Sequence, residues 1–172
     1  NMINSGKEGW ESSLQQMYCE QTMSERDFYY MVADSFSMAV QYGHKTDLCS
    51  AIEAVPEDAD DATVTQAFAD FSNDYWGKDF CSMGFYDTSA LKDPLRWDVN
   101  SRSWRWQTCY QVAWFNTAPK SGSLRAQSVD LKYHLQQCAD IFGMPMIPNV
   151  VDINSKFGGA YPTAHNTFYS DF

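Results

Sequence analysis

SERDFYYMVADSFSMAVQYG, residues 24–43, is the stretch whose periodicity decides the fold class. Phe28, Val32, Phe36 and Val40 recur every fourth residue, with Met31 and Ala39 beside them. That spacing puts a broad apolar stripe on one side of an α-helix. Ser24 suits the N-cap, Asp27 is a weak capping-box partner three residues on, and Gly43 is a natural stop. Working outward, residues 9–21 predict a shorter helix with Trp10, Leu14, Met17 and Tyr18 on one side. Residues 47–55 predict another, stopped by Pro56. Residues 61–76 repeat the pattern with Val64, Phe68 and Phe71 and stop at Gly77.

From residue 78 to residue 100 the periodicity fades, and Gly84 and Pro94 indicate an irregular connection. A helix over residues 103–116 follows, ending before Pro119, and then a polar loop at 120–125. A last clear helix spans 128–142, with Ser128 as cap, Leu131, Leu135, Cys138 and Ile141 facing inward, and Gly143 as stop. Beyond it, Met144-Pro145-Met146-Ile147-Pro148 cannot be helical. Phe157-Gly158-Gly159-Ala160-Tyr161-Pro162 is turn chemistry. Thr167-Phe168-Tyr169 has strand propensity but no partner strand nearby, so the sheet it would join is expected outside this chain. No internal repeat is visible.

A chain of 172 residues with 44% apolar and 20% charged side chains has the composition of one globular domain. The opening Asn1-Met2-Ile3-Asn4 lacks the order of a signal peptide, so a segment of something longer is expected. No apolar run approaches the ~20 residues that span a bilayer, which argues against a membrane partner. Twelve Lys and Arg against 22 Asp and Glu leave a net charge of −10. The basic residues are scattered singly, and no basic stripe could neutralise a run of phosphates, which argues against a nucleic-acid partner. The acidic run Glu57-Asp58-Ala59-Asp60-Asp61 reads as a solvated helix start rather than a calcium loop, which would need a Gly and a distal Glu.

Cys19, Cys49, Cys81, Cys109 and Cys138 sit singly and far apart, without the close pairs of a zinc site. Buried free thiols remain one reading. Wide spacing suits long-range disulfides and an oxidising compartment better, and an odd count leaves one thiol without a partner in the chain. His44, His134 and His165 fall on a helix end, a helix face and a loop, none beside a convincing Ser or Cys. No G-x-S-x-G elbow occurs. Neither a metal nor a cofactor is called for.

The segment RSWRWQTCYQVAWFNT, residues 101–116, concentrates aromatic surface around a Gln-Thr-Cys centre. One side of its expected helix, with Trp106, Cys109, Tyr110 and Ala113, can pack inward. A second side carries Gln107, Gln111 and Trp114 at i, i+4 and i+7 in one row. A flat indole suits a pyrrolidine ring, and amides can hold peptide backbone without net charge. A core role for the three tryptophans is the competing reading. Gln111 favours the pocket because a buried amide needs partners.

Trp104-Arg105-Trp106-Gln107-Thr108-Cys109 followed by Trp114-Phe115-Asn116-Thr117 resembles the "RxWxYQTCTExGWFQT" segment of the lysosomal Pro-X carboxypeptidase and dipeptidyl-peptidase II family, with the thymus-specific serine protease branch nearest. Val40-Gln41-Tyr42-Gly43 with Leu48-Cys49, Asp130-Leu131 through Cys138 to Gly143, Asn154-Ser155-Lys156-Phe157-Gly158-Gly159, and Asn166 through Phe172 resemble further family marks in the same order.

The resemblance implies a mainly α, helical-bundle cap (residues 1–148) inserted in an α/β-hydrolase, and a return segment (149–172) whose strand rejoins the hydrolase sheet. It implies a lysosomal or secreted serine exopeptidase cleaving beside proline, either a carboxypeptidase or a dipeptidyl-peptidase. The partners would be a peptide substrate and the chain's own hydrolase domain, with a homodimer left open. The triad would lie outside this segment, with the serine upstream and the aspartate and histidine past Phe172. Gln107, Gln111 and Trp114 would bind substrate. Cys19 would pair with Cys81, Cys109 with Cys138, and Cys49 with an upstream cysteine. Two departures stand out: the family's "CTE" is Cys109-Tyr110-Gln111, and its "NG" is Asp171-Phe172. The alternative is a non-catalytic helical binding module or an inactive homologue.

Overall fold

The structure, a computed structural model, describes residues 23–77, 84–95 and 100–159. Helices α1 (Glu25–Gln41), α2 (Lys45–Glu53) and α3 (Asp61–Trp76) come first. A short α4 (Thr88–Leu91) follows, then α5 (Ser101–Gln107), α6 (Leu131–Phe142) and α7 (Val150–Phe157). The molecule is mainly helical, and no strand occurs among the described residues. The helix expected at 9–21, Cys19, Cys81, His165 and the strand expected at 167–169 lie outside the described residues.

The chemistry of the caps explains most boundaries. Ser24 caps α1 by accepting the Asp27 N–H at 3.3 Å. Gly43 lies just past the end of α1 with φ 90°, where a side chain would be strained. Asp60, inside the acidic run, takes the Thr63 N–H at 2.8 Å and starts α3. At α6 the cap differs from expectation. Asp130, not Ser128, accepts the Tyr133 N–H at 2.7 Å, so the helix begins at Leu131. Helix α7 was not expected in the return segment. Asn149 starts it by accepting the Asp152 N–H, and Gly158 with φ 84° ends it.

The main core joins Phe28, Tyr29 and Met31 of α1 to Ala69 of α3, Tyr86, Val129 and Tyr133 of α6. Val32 and Phe36 pack on it half-buried, and Phe36 meets Phe68 edge-on at 4.9 Å. Val40 of the expected stripe is exposed instead. A second small core forms where Cys109 and Cys138 are disulfide-bonded, with Met146 buried and Phe115 and Phe142 against it. Cys49 is a free, partly buried thiol.

Helix α6 keeps Cys138 and Ile141 on its inward face as expected, with Leu135 half-buried, but widens that face on one side. Tyr133, His134, Gln137, Cys138 and Ile141 point inward and Leu131 is exposed. The cause is a buried carboxylate. Asp27 does not fold back on Ser24 as a capping box would require. It accepts from Tyr133 Oη at 2.7 Å, Gln137 Nε2 at 3.0 Å, Thr88 Oγ1 at 2.9 Å and the Thr88 N–H at 3.0 Å. A carboxylate 1% exposed needs such donors, and α6 supplies them from the face that carries Tyr133 and Gln137.

Candidate functional site

Helix α5 runs on into a single π-helical turn at Thr108–Val112. The Ala113 N–H reaches back five residues to the Thr108 carbonyl at 3.0 Å. A π turn holds an extra residue, so the phase of every following side chain shifts. Ala113 then takes the left-handed conformation, φ 54°, and ends the helix. For a residue with a Cβ this costs on the order of 1 kcal/mol. The Phe115 N–H closes on the Ala113 carbonyl at 2.8 Å, a γ-turn with Trp114 at its tip.

The expected helix at 103–116 is therefore corrected. It starts at Ser101 and ends at Val112, and Trp114 lies beyond it. Gln107, Gln111 and Trp114 do not form one helical row, because the π turn and the left-handed Ala113 intervene. All three are solvent-exposed, Trp114 at 58%. Exposure also removes the reason for favouring Gln111 as a buried amide. On the side expected to pack inward, Cys109 is fully buried and Ala113 half-buried. Trp106 and Tyr110 are not core. They stack on each other at 5.5 Å at the surface, and the Trp106 and Phe142 rings meet edge to face at 5.0 Å.

What lies behind Trp114 is a polar chain. Arg105 is 5% exposed, with its guanidinium between the rings of Tyr30 and Phe115. It donates to His134 Nδ1 at 3.0 Å. A guanidinium can only donate, so Nδ1 is the acceptor and the proton sits on Nε2. That nitrogen donates to the Asn116 carbonyl at 3.2 Å. The Phe115 ring stacks on the imidazole at 5.2 Å and 10°. The Asn116 amide donates to Asp34 at 3.0 Å, and Asp34 accepts the Tyr86 hydroxyl at 2.8 Å. The exposed indole is thus carried on a turn whose next two residues are held from below.

Burial, with Arg105 second, lowers the His134 pKa to about 4. Burial also lowers that of Arg105, while Tyr30, Tyr133, Asp27 and Asp34 work in the opposite direction. Tyr30 is pushed up to about 12 by burial and then by Asp34. Tyr86 and Tyr133 rise for the same first reason, with Asp34 and Asp27 respectively adding to it. At neutral pH the chain holds a neutral imidazole and protonated phenols.

No nucleophile is assembled among these groups. His134 bonds Arg105 and Asn116, and half-buried His44 bonds Asp47 and packs on Tyr75, so neither described histidine meets a serine or cysteine. No group of three metal-ligating side chains gathers among the described residues. A cleft of about 400 Å³ opens beside the Asp27 network, bordered by Ser24, Arg26, Thr88, Gln137 and Asp140. Gln107, Gln111 and Trp114 do not border it. The functions of Arg105 and Asn116 were missed in the sequence, and His134 read there as a lone histidine on a helix face. The available signal was one arginine inside an aromatic run.

This helical, disulfide-braced chain with its exposed aromatic turn matches the serine carboxypeptidase S28 family over residues 7–171. The chain belongs to that family, a group of serine peptidases. It is similar to a probable serine protease EDA2 of Arabidopsis thaliana, 29% identical over 140 residues. That match covers 78% of this chain and 28% of the plant protein, so the chain spans little more than a quarter of its relative. No solved structure matches. Among the described residues no helix is long and apolar enough to cross a membrane.

Proposed function

We propose that this chain is the helical cap of a serine exopeptidase that cleaves peptides next to proline. Residues 1–148 form the cap, and residues 149–172 return towards an α/β-hydrolase domain. The chemistry is acyl transfer through a serine ester, with the triad outside this segment. Trp114 forms an apolar wall for the proline ring, and Gln107 and Gln111 border the approach of the peptide. No cofactor takes part. The setting is lysosomal or secreted, where the Cys109–Cys138 bond persists.

One observation carries this reading: in a chain matched to S28 peptidases from residue 7 to residue 171, the exposed indole of Trp114 stands on a turn pinned from behind. Exposed Tyr110, Ile147 and Val151, on the π turn and on the segment joined to it by the bond from the Asn149 N–H to the Tyr110 carbonyl, support a covering domain over this face. The test is expression of the full-length protein and its assay on paired peptides with proline or alanine beside the scissile bond. Product from the proline peptide, blocked by a serine-directed phosphonate, is expected. Phosphonate labelling inside this segment, or equal rates on both peptides, overturns the reading.

A further inference from the structure

We propose that His134, in its neutral form, is a positioning residue that pins the Trp114 turn through the Asn116 carbonyl, and that its protonation in acid releases the turn. The proposal rests on the reading of Trp114 as a pocket wall, and it adds a device that controls where that wall stands.

The geometry leaves the turn few other anchors. The Ala113 N–H is tied to Thr108 and the Ala118 N–H to the Val129 carbonyl at 3.0 Å each, so residues 114–117 span two fixed points. Between them the backbone is held by the His134 Nε2–H on the Asn116 carbonyl, and the side chains by Phe115 on the imidazole and Asn116 on Asp34. Left-handed Ala113 is a strained start to this segment. Strain of that kind persists only where surrounding contacts over-determine it.

The hydrogen-bond pattern works in one protonation state. A second proton would sit on Nδ1, where the Arg105 N–H already points, so donor would face donor. The charged groups around the ring are mixed. Arg105 from α5 and Arg125 from the loop before α6 oppose a positive imidazole, and Asp130 of α6 favours it. The rings of Tyr30 from α1 and Tyr133 from α6 pack on it at 5.0 and 4.9 Å, both as neutral phenols, and Asp34 reaches it only through Asn116. The balance favours the neutral ring, and the imidazole titrates at about 4. Its protonated form therefore pushes Arg105 or itself out of the pocket beneath Phe115.

The experiment uses the full-length protein, with hydrogen exchange read by mass spectrometry and kinetics read on a proline peptide. His134→Phe keeps a ring beneath Phe115 but no donor. It should raise exchange at residues 114–118, leave α1 and α3 protected, and lower kcat/KM by about tenfold to a hundredfold. His134→Gln keeps an N–H that can reach the Asn116 carbonyl and should restore most of that protection. Wild-type protection at 114–118, corrected for intrinsic exchange, should fall as the pH drops from about 6.5, where a released ring titrates, towards about 4, where the pinned ring does, and stay level in His134→Gln. The pH comparison stands even where His134→Phe does not fold. Unchanged exchange in the variants, or pH-independent wild-type protection, overturns the pin. Trp114→Ala with intact kcat/KM overturns the pocket reading alone, so the two ideas fail separately.

Discussion

The Tyr133 hydroxyl donates to the Asp27 carboxylate at 2.7 Å, although 106 residues separate them in sequence. The contact ties the first turn of α1 to α6, and Gln137 and Thr88 bring α6 and α4 to the same oxygens. Asp27→Ala would take the acceptor from buried Tyr133 and from two donors of half-buried Thr88, while Gln137 would keep only its other partners, such as the Tyr86 carbonyl. Each unpaired group costs about 1–3 kcal/mol, so a loss on the order of 3 kcal/mol or more is expected. Asp47→Ala, an exposed control, should stay within about 0.5 kcal/mol of wild type. Urea denaturation of both variants checks this, and matched midpoints would show that the Asp27 network is not a structural hub.

The stability of the protein should depend on acid through His134. Its pKa is about 4 folded against 6.5 unfolded, so the unfolded chain binds the extra proton first. The contribution is complete above pH 6.5 and is lost as the pH falls towards 4. Over that window it amounts to roughly 3 kcal/mol. Melting temperature measured from pH 7 to pH 4 should fall for wild type and fall less for His134→Gln. Parallel curves would assign the acid sensitivity to other groups.

The Cys109–Cys138 bond closes a sequence separation of 29 residues and puts its sulfurs in the second core. Loop-closure entropy alone assigns it roughly 3–4 kcal/mol. Cys109→Ala with Cys138→Ala should therefore lower the melting temperature by several degrees or more. Alkylation of the folded, non-reduced protein, followed by mass spectrometry, should leave Cys109 and Cys138 unlabelled. In the isolated segment the Cys49 thiol should label. Labelled Cys109 would contradict the structure.

Local chemistry made the helices readable, and long-range chemistry hid the site. Ser24, Gly77 and Gly143 act within a few residues of themselves, so the limits of α1 and α3 and the end of α6 follow from sequence. The inward face of α6 follows only in part: Cys138 and Ile141 are buried as expected, but apolar periodicity cannot register that Tyr133 and Gln137 face a carboxylate on another helix. The π turn has no composition of its own. Its sequence has the periodicity of an α-helix, and the single extra residue dissolves the expected row of Gln107, Gln111 and Trp114. Arg105 and His134 meet across 29 residues, and only the folded chain shows that each is the other's partner.

On the proposed function, Trp114→Ala should damage catalysis in the full-length protein far more than it damages folding. The indole is 58% exposed at the tip of a γ-turn, so truncation removes little buried surface from this segment. A core tryptophan would cost roughly 3–5 kcal/mol on truncation, and an exposed one stays within about 0.5 kcal/mol. If the indole is a wall of the proline pocket, its loss lets the ring shift, and a displacement of about 1 Å can cost on the order of a hundredfold in rate. Melting temperature and kcat/KM measured on one preparation separate these effects. An intact kcat/KM with a lowered melting temperature places Trp114 in a domain interface rather than a pocket. Gln111→Glu restores the carboxylate found in the resembling segment and is the companion variant. A carboxylate beside the substrate's end would attract a free α-amino group and repel a free α-carboxylate. A changed preference between free and blocked peptide termini therefore places Gln111 at that end, and an unchanged one returns it to the scaffold.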